Sequence, residues 1–206
     1  DMGGNKGRFT KEIEEALLSD HIDIAVHSMK DVSCFLPEGI SIAAIVARGD
    51  PRDAFIGRTA RALDELPAGS VVGTASLRRQ AQILAQRPDL RIVPLRGNVE
   101  TRLKKLEEGK ADATVLAVSG LARLGIESRI SSVMSVSTML PAAAQGALCA
   151  EIREGSEDLR ALLAPLDDAI SHVCTTAERA VMRAIDGNCN TPAGAYATMT
   201  SSGLLA

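Results

Sequence analysis

Between residues 71 and 125 the chain passes three times from a short apolar run into a helix-forming stretch, and few folds accommodate that rhythm. Val71-Val72-Gly73, Leu90 to Pro94 and Ala113 to Val118 read as strands. Helices are expected from near Ser76 to just before Pro88, from the capping residue Asn98 to Gly109, and briefly up to Gly125. Strands separated by helices cannot pair through hairpins, so they line up in parallel with the helices on the faces. The pattern predicts a mostly parallel, three-layer α/β domain from about Arg52 to Leu140.

The flanks carry less regular signals. Thr10 is a candidate cap for a helix running to about Ser19, and Ile22 to Val26 and Ile40 to Val46 read as strands. Arg48-Gly49-Asp50-Pro51-Arg52-Asp53 is polar and interrupted by Gly and Pro, a candidate hinge. Ala147 to Ile152 is a strand that comes after the alternating unit has closed, so it is expected to return to the first domain. Two crossings between lobes would make a hinged cleft, a common place for a ligand. A long helix from about Asp168 to Ile185, ended by Gly187, and a strand–turn tail from Ala193 to Ala206 complete the chain.

Composition excludes several function classes. The 206 residues include 2% aromatics and no Trp, and the net charge is −3, which argues against a nucleic-acid partner. No apolar run reaches the length of a membrane span, and no secretory leader is visible, so no membrane partner is expected. Cys34, Cys149, Cys174 and Cys189 form no C-x-x-C pair, and His21, His27 and His172 stand at no ligand spacing from them. No metal is expected, and the thiols are expected to be reduced, as in a cytoplasmic protein; Cys34, Cys149 and Cys174 are candidate core residues. There is no G-x-S-x-G elbow and no Walker-type loop.

Three segments could carry chemistry. The first is the set of strand-to-helix junctions. Thr74, Ser76, Arg78 and Arg79 lie at one, Arg96 and Arg102 at the next, and Ser119 and Arg123 at the third. Strand C-termini and helix N-termini are where open α/β sheets bind anions, and guanidinium forks match carboxylates. A surface ion pair explains any single arginine as well; three junctions in succession point to one positive edge. The second segment is Ala25-Val26-His27-Ser28-Met29-Lys30-Asp31-Val32, with a cation, a hydroxyl and an acid after a strand. Physics alone favours a cap or loop role for Asp31. The third is Asp186-Gly187-Asn188-Cys189-Asn190-Thr191-Pro192, which puts a thiol in a loop after a helix. Such a thiol is a bystander unless something lowers its pKa.

In this order, these segments resemble the signature segments of the porphobilinogen deaminase family. The matching text is Gly4-Asn5-Lys6-Gly7 with Phe9-Thr10-Lys11-Glu12, His27-Ser28-Met29-Lys30-Asp31-Val32, and Asp50-Pro51-Arg52-Asp53-Ala54-Phe55. Gly73-Thr74-Ala75-Ser76-Leu77-Arg78-Arg79-Gln80, Leu95-Arg96-Gly97-Asn98-Val99-Glu100-Thr101-Arg102-Leu103 and Gln145-Gly146-Ala147 follow, then Thr176-Ala177-Glu178-Arg179 and the Gly187-x-Cys189 loop.

The resemblance implies an α/β fold of two periplasmic-binding-protein-like lobes of mixed sheet plus helices, with part of a smaller α+β third domain. The implied domains are 1–50 with 146–165, then 51–145, then 166–206. It implies head-to-tail joining of four porphobilinogen molecules into a linear tetrapyrrole, with release of ammonia, by a monomeric cytoplasmic transferase. The implied cofactor is a dipyrromethane bound covalently to Cys189 and held by Ser28, Lys30, Thr74, Ser76, Arg78, Arg79 and Arg102. Asp31 would be the catalytic carboxylate, and Lys6, Arg96 and Arg123 would bind substrate carboxylates. Asn5 interrupts the usual glycine–lysine run, and Ser33-Cys34 stands where a proline usually follows. The family's N-terminal strand and much of its third domain have no counterpart in the sequence, so the chain is expected to be an inactive fragment. The rival reading is a non-catalytic receptor for a small anionic ligand.

Overall fold

Apolar runs too short to cross a domain as helices become the strands of two sheets, and longer amphipathic stretches cover them. The computed structural model describes residues 5–188 and 191–205. In chain order the elements are α1 (Asn5–Leu18), β1 (Ala25–Ser28), β2 (Ile40–Ile45), β3 (Asp53–Gly57), β4 (Val71–Gly73), α2 (Leu77–Gln86), β5 (Arg91–Val93) and α3 (Val99–Glu107). They continue with β6 (Ala113–Ala117), α4 (Val118–Arg123), β7 (Ser132–Val133), β8 (Leu148–Arg153), α5 (Glu157–Leu163), α6 (Ala169–Ala184), β9 (Thr198–Thr200) and β10 (Gly203–Leu205). The chain divides into two compact units. One is built from Asp1–Gly49, Ala143–Cys189 and Ala195–Ala206, the other from Asp50–Ala142 and Asn190–Gly194.

The second unit contains the alternating segment. Its sheet has the order β5-β4-β6-β3-β7. β4 runs parallel to both β5 and β6, as the helical crossovers require. The sheet is nevertheless mixed rather than mostly parallel, because β3 runs antiparallel to β6 and to β7. Residues 58–70, between β3 and β4, form no helix, so no crossover imposes a parallel direction on β3. Alternating side chains supply both faces. Phe55, Val72, Ala113 and Val115 pack with Ile83 of α2, while Ala54, Ile56 and Leu116 pack with Leu103 and Leu106 of α3 and Leu121 of α4. This is the expected three-layer arrangement.

In the first unit β8 lies between β1 and β2 and is antiparallel to both, so the late strand does return to the first sheet. α1 covers one face through Ile13 and Leu17 against Ala25 and Ile40. Leu159 and Leu163 of α5 cover the other against Ala44, Ala150 and Ile152. Two expectations about helix ends are corrected. α1 begins at Asn5 and not at Thr10; an interior glycine such as Gly7 costs about 1 kcal/mol relative to Ala, which does not stop a helix. At the end of α6 the left-handed residue is Asp186 (φ 49°), not Gly187. Gly187 instead closes the turn by donating its N–H to the Met182 carbonyl at 2.8 Å. A Cβ there would lie 2.6 Å from the flexible end of Met182 and 3.3 Å from the Met182 carbonyl oxygen, so a side chain at this position would displace the Met182 tip. Among the described residues no helix is long and apolar enough to cross a membrane.

Candidate functional site

The parallel strands β5, β4 and β6 are neighbours, so their C-terminal ends share one edge of the second unit's sheet. At the central junction Ser76 caps α2, its hydroxyl accepting the Arg79 N–H at 3.4 Å. The Thr74 hydroxyl accepts the Ser76 N–H at 3.2 Å and is itself buried. The cap fixes the first turn of α2 and turns Arg78 and Arg79 inward, where both are buried.

Their partner is Asp53, the first residue of β3. One Arg78 nitrogen donates to Asp53 Oδ2 at 2.8 Å and one Arg79 nitrogen donates to Asp53 Oδ1 at 2.7 Å. A second Arg78 nitrogen donates to the Leu140 carbonyl. The Asp53 side chain is fully enclosed. Burial alone would push its carboxyl up, but the charges and hydrogen bonds of Arg79 and Arg78 hold it well below the usual carboxylate range. Burial also lowers the basicity of Arg78; Asp53 opposes that and Arg79 adds to it. Two guanidinium charges face one carboxylate, so the set keeps an excess of one positive charge beside the positive end of the α2 dipole. The Nε–H groups of Arg78 and Arg79 are buried with no acceptor among the described residues.

The second junction is held differently. Gly97 has φ 123°, and a Cβ there would lie 2.6 Å from Thr101 Cγ2, so this sharp turn needs glycine. Asn98 caps α3 by accepting the Thr101 N–H at 2.8 Å. Arg102 donates its Nε–H to the Gly97 carbonyl at 2.8 Å, and Lys105 donates to the Arg96 carbonyl at 2.9 Å. The Arg96 side chain is exposed. At the third junction Ser119 is buried, and Arg123 is exposed at the last position of α4, away from the strand end.

In the first unit β1 ends at Ser28 and the chain enters the 3-10 turn Met29–Asp31, which gathers Ser28, Lys30 and Asp31. The Met29 N–H donates to the Ala147 carbonyl at 3.0 Å. Lys30 Nζ donates to the buried Gln145 side chain at 3.3 Å. Beyond the turn Arg179 of α6 donates to the carbonyls of Val32 at 3.1 Å and Ser33 at 2.6 Å. Lys6 lies in the first turn of α1. Cys189 lies outside the described residues. Cys149 and Cys174 are buried, but Cys34 is only half-buried and is not a full core residue. Burial, then the charge of Glu151, pushes the Cys149 thiol up to about 12, so it is inert near neutrality.

Several buried charges received no role from the sequence. Asp53 is one, and Glu178 of α6 is another. Glu178 accepts two hydrogen bonds from Arg48, at 2.6 and 3.1 Å, one from the Ala144 N–H at 2.6 Å and one from the Ala197 N–H at 2.8 Å. His27 and Glu151 are also enclosed. The available signal was an acid next to or inside an apolar run: Asp53 before Ala-Phe-Ile, and Glu151 between Ala150 and Ile152. An acid in that setting is buried with its strand and requires a cation, a donor or a proton.

Comparison with known proteins places these features in a lineage. A family model described as "Porphobilinogen deaminase, dipyromethane cofactor binding domain" matches residues 1–161. A second, "Porphobilinogen deaminase, C-terminal domain", matches residues 172–205. The porphobilinogen deaminase of Chromobacterium violaceum is 53% identical over 201 residues, covering 98% of this chain and 65% of the relative. That of Thiobacillus denitrificans is 53% identical over 202 residues, covering 98% and 66%. The chain thus spans slightly less than two thirds of these relatives. Among solved structures, a putative methionine-binding lipoprotein from Bacillus subtilis superposes with a TM-score of 0.51 at 14% identity, covering 78% of this chain and 76% of that one. That likeness is one of fold alone. It agrees with two periplasmic-binding-protein-like lobes of mixed sheet and helices.

Proposed function

This chain belongs to the porphobilinogen deaminase family, and from that premise we propose that it forms part of a transferase of tetrapyrrole synthesis. The reaction would join four porphobilinogen molecules head to tail with loss of ammonia. The observation that carries this reading is the Asp53–Arg78–Arg79 set. Its excess positive charge, next to the Thr74 and Ser76 hydroxyls and the N-terminal turn of α2, suits an anion, and pyrroles of this class each bring two carboxylates.

The residues present therefore fit a dipyrromethane cofactor. Thr74, Ser76, Arg78, Arg79 and Arg102 would hold its carboxylates, as would Ser28 and Lys30. When bound through Cys189, the cofactor supplies the primer on which the product grows. Arg96 and Arg123, with exposed side chains on the same unit, would bind substrate carboxylates, as would Lys6. Asp31 would stand against the substrate ring nitrogen and stabilise the positive charge left there when ammonia departs, an interaction that strengthens as the charge develops. Arginines cannot do this, because they oppose a cation.

We further propose a third domain at 166–206 beside domains at 1–50 with 146–165 and at 51–145. The separate family match beginning at residue 172 supports that division. A cytoplasmic monomer is the setting that suits a biosynthetic enzyme of this kind. The receptor alternative has only the shared fold behind it. Intact-protein mass spectrometry tests the reading. The natural full-length protein is expected to carry the mass of a dipyrromethane, and Cys189→Ser to lack it. An adduct mapped to Cys34, Cys149 or Cys174 would refute the assignment of Cys189.

A further inference from the structure

Three ionisable side chains converge in the first unit, apart from the residues assigned above. On the β1–β8 ladder Glu151 stands opposite Ala25, and His27 opposite Cys149. His27 and Glu151 are thus diagonal neighbours on one face of the sheet, within reach of long side chains. His27 Nε2 lies 3.4 Å from Glu151 Oε2. Glu151 is fully buried, and His27 and Glu14 are each 8% exposed. Neither oxygen of Glu151, nor Nε2 of His27, has an aligned hydrogen-bond partner among the described residues. Buried polar atoms left in this state are rare, and each needs a cause.

A proton is the cause that fits. A charged carboxylate enclosed here would face the acid of Glu14, with no aligned donor among the described residues. Burial, then Glu14, pushes the Glu151 carboxyl up to about 7, with Arg179 opposing. Burial also lowers the basicity of His27, with Asp31 opposing, and raises the Glu14 carboxyl. The charges acting on the pair are Glu14 from α1, Asp31 from the 3-10 turn and Arg179 from α6; Cys149 beside it stays neutral.

We propose that His27 and Glu151 share one proton beneath the Met29–Asp31 turn and act as a positioning pair for Asp31, with Glu14 keeping that proton in place. The proposal rests on the reading of Asp31 given above. β1 carries His27 and runs directly into the turn, so the pair fixes its entrance. Arg179 fixes its exit through the Val32 and Ser33 carbonyls. With the proton in place Glu151 is neutral: it neither draws Arg179 from those carbonyls nor repels Asp31. Without it, a buried anion does both, and the turn loosens at both ends.

The test measures kcat and KM of the natural full-length, cofactor-loaded protein from about pH 6 to 9, for wild type, Glu151→Gln and Glu151→Ala. Wild-type kcat is expected to fall on the alkaline side at nearly constant KM. Glu151→Ala removes the side chain that shares the proton and should lower kcat about tenfold at neutral pH. Glu151→Gln has the same shape and an amide that can donate to Nε2, so it should regain most of that loss and remove the alkaline fall. Nitrogen-15 spectra of the His27 ring give a readout independent of turnover: Nε2 should titrate with Glu151 in wild type and stay constant in Glu151→Gln. A Glu151→Gln variant that keeps the wild-type alkaline fall, or an alanine variant that melts earlier with unchanged kcat, overturns the proposal. Asp31→Asn separates the two levels. If it turns over like the parent, the reading of Asp31 fails and the positioning role with it. If it is inactive while both Glu151 variants follow wild type, the positioning proposal alone fails.

Discussion

Replacing Asp53 by Asn removes one negative charge from between two buried guanidinium groups and changes little else in shape. The carboxylate accepts hydrogen bonds from Arg78 at 2.8 Å and Arg79 at 2.7 Å. An asparagine offers one oxygen acceptor, and its NH2 confronts the other guanidinium donor to donor. A hydrogen bond to a charged group contributes about 1.5–3 kcal/mol, and breaking a buried ion pair from one side costs about 3–5 kcal/mol. The expected loss for Asp53→Asn is therefore about 3–5 kcal/mol, or roughly 6–20 °C in melting temperature for a protein of this size.

The chain has no Trp, so urea unfolding followed by far-ultraviolet circular dichroism is the suitable assay. The pH dependence gives a second check. Asp53 has its carboxyl depressed in the folded state from an ordinary value of 3.8. Its contribution is then fully present above the unfolded value and is lost as pH falls through the folded one. The gap between wild type and Asp53→Asn should stay constant from about pH 5 upward and shrink only below about pH 4. The double variant Asp53→Asn with Arg79→Gln brings the set back from two positive charges to the single excess charge of the parent and should be less damaged than the sum of its parts. A loss below about 1 kcal/mol for Asp53→Asn would mean that Asp53 does not hold the two arginines as described.

Arg78→Lys, Arg79→Lys and Arg96→Lys keep charge but lose the fork, and each is expected to impair elongation by about 1–3 kcal/mol per lost charged contact. Arg78→Lys and Arg79→Lys should also lower the melting temperature, because their forks serve Asp53, whereas Arg96→Lys should not; parent-like elongation in all three sinks the carboxylate-binding role. Glu178→Gln leaves the Arg48 charge buried without its counter-ion and is expected to cost about 3–5 kcal/mol in urea unfolding. A cost within the ±0.5 kcal/mol typical of surface changes would contradict that description of Glu178.

What the sequence showed depended on whether the deciding interaction was local. Ser76, Asn98 and Asp168 are caps whose partners lie three residues away, and the starts of their helices were legible for that reason. The strand at Ala113–Ala117 is a continuous apolar run and was equally plain. β3 was missed because Asp53 looks like the end of a hinge. Its burial is made tolerable only by arginines 25 and 26 residues away, a pairing that no window of local propensity contains. The three arginine-bearing strand-to-helix junctions do share one edge of a sheet, but Arg123 sits away from that edge at the end of α4. That two of those arginines turn inward to a carboxylate was not visible, because residue type says nothing about which way a fork points.

The position of β8 between β1 and β2 has a consequence for how the chain comes to be folded at all. The two early strands do not pair with each other; each waits for a strand that begins at Leu148, whereas β2 ends at Ile45. Synthesis proceeds at about 5–20 residues per second, so the interval of roughly 100 residues lasts on the order of 5–20 s. For that time β1 and β2 lack the described strand that pairs with both of them, and unpaired strand edges are prone to mispairing with neighbouring chains. The second unit has no such wait. Apart from the short stretch Asn190–Gly194 it is the unbroken segment Asp50–Ala142, and its strands find all their partners within that segment. The second unit can thus complete its sheet before the first unit's central strand has been made, although β1 and β2 precede it in the chain.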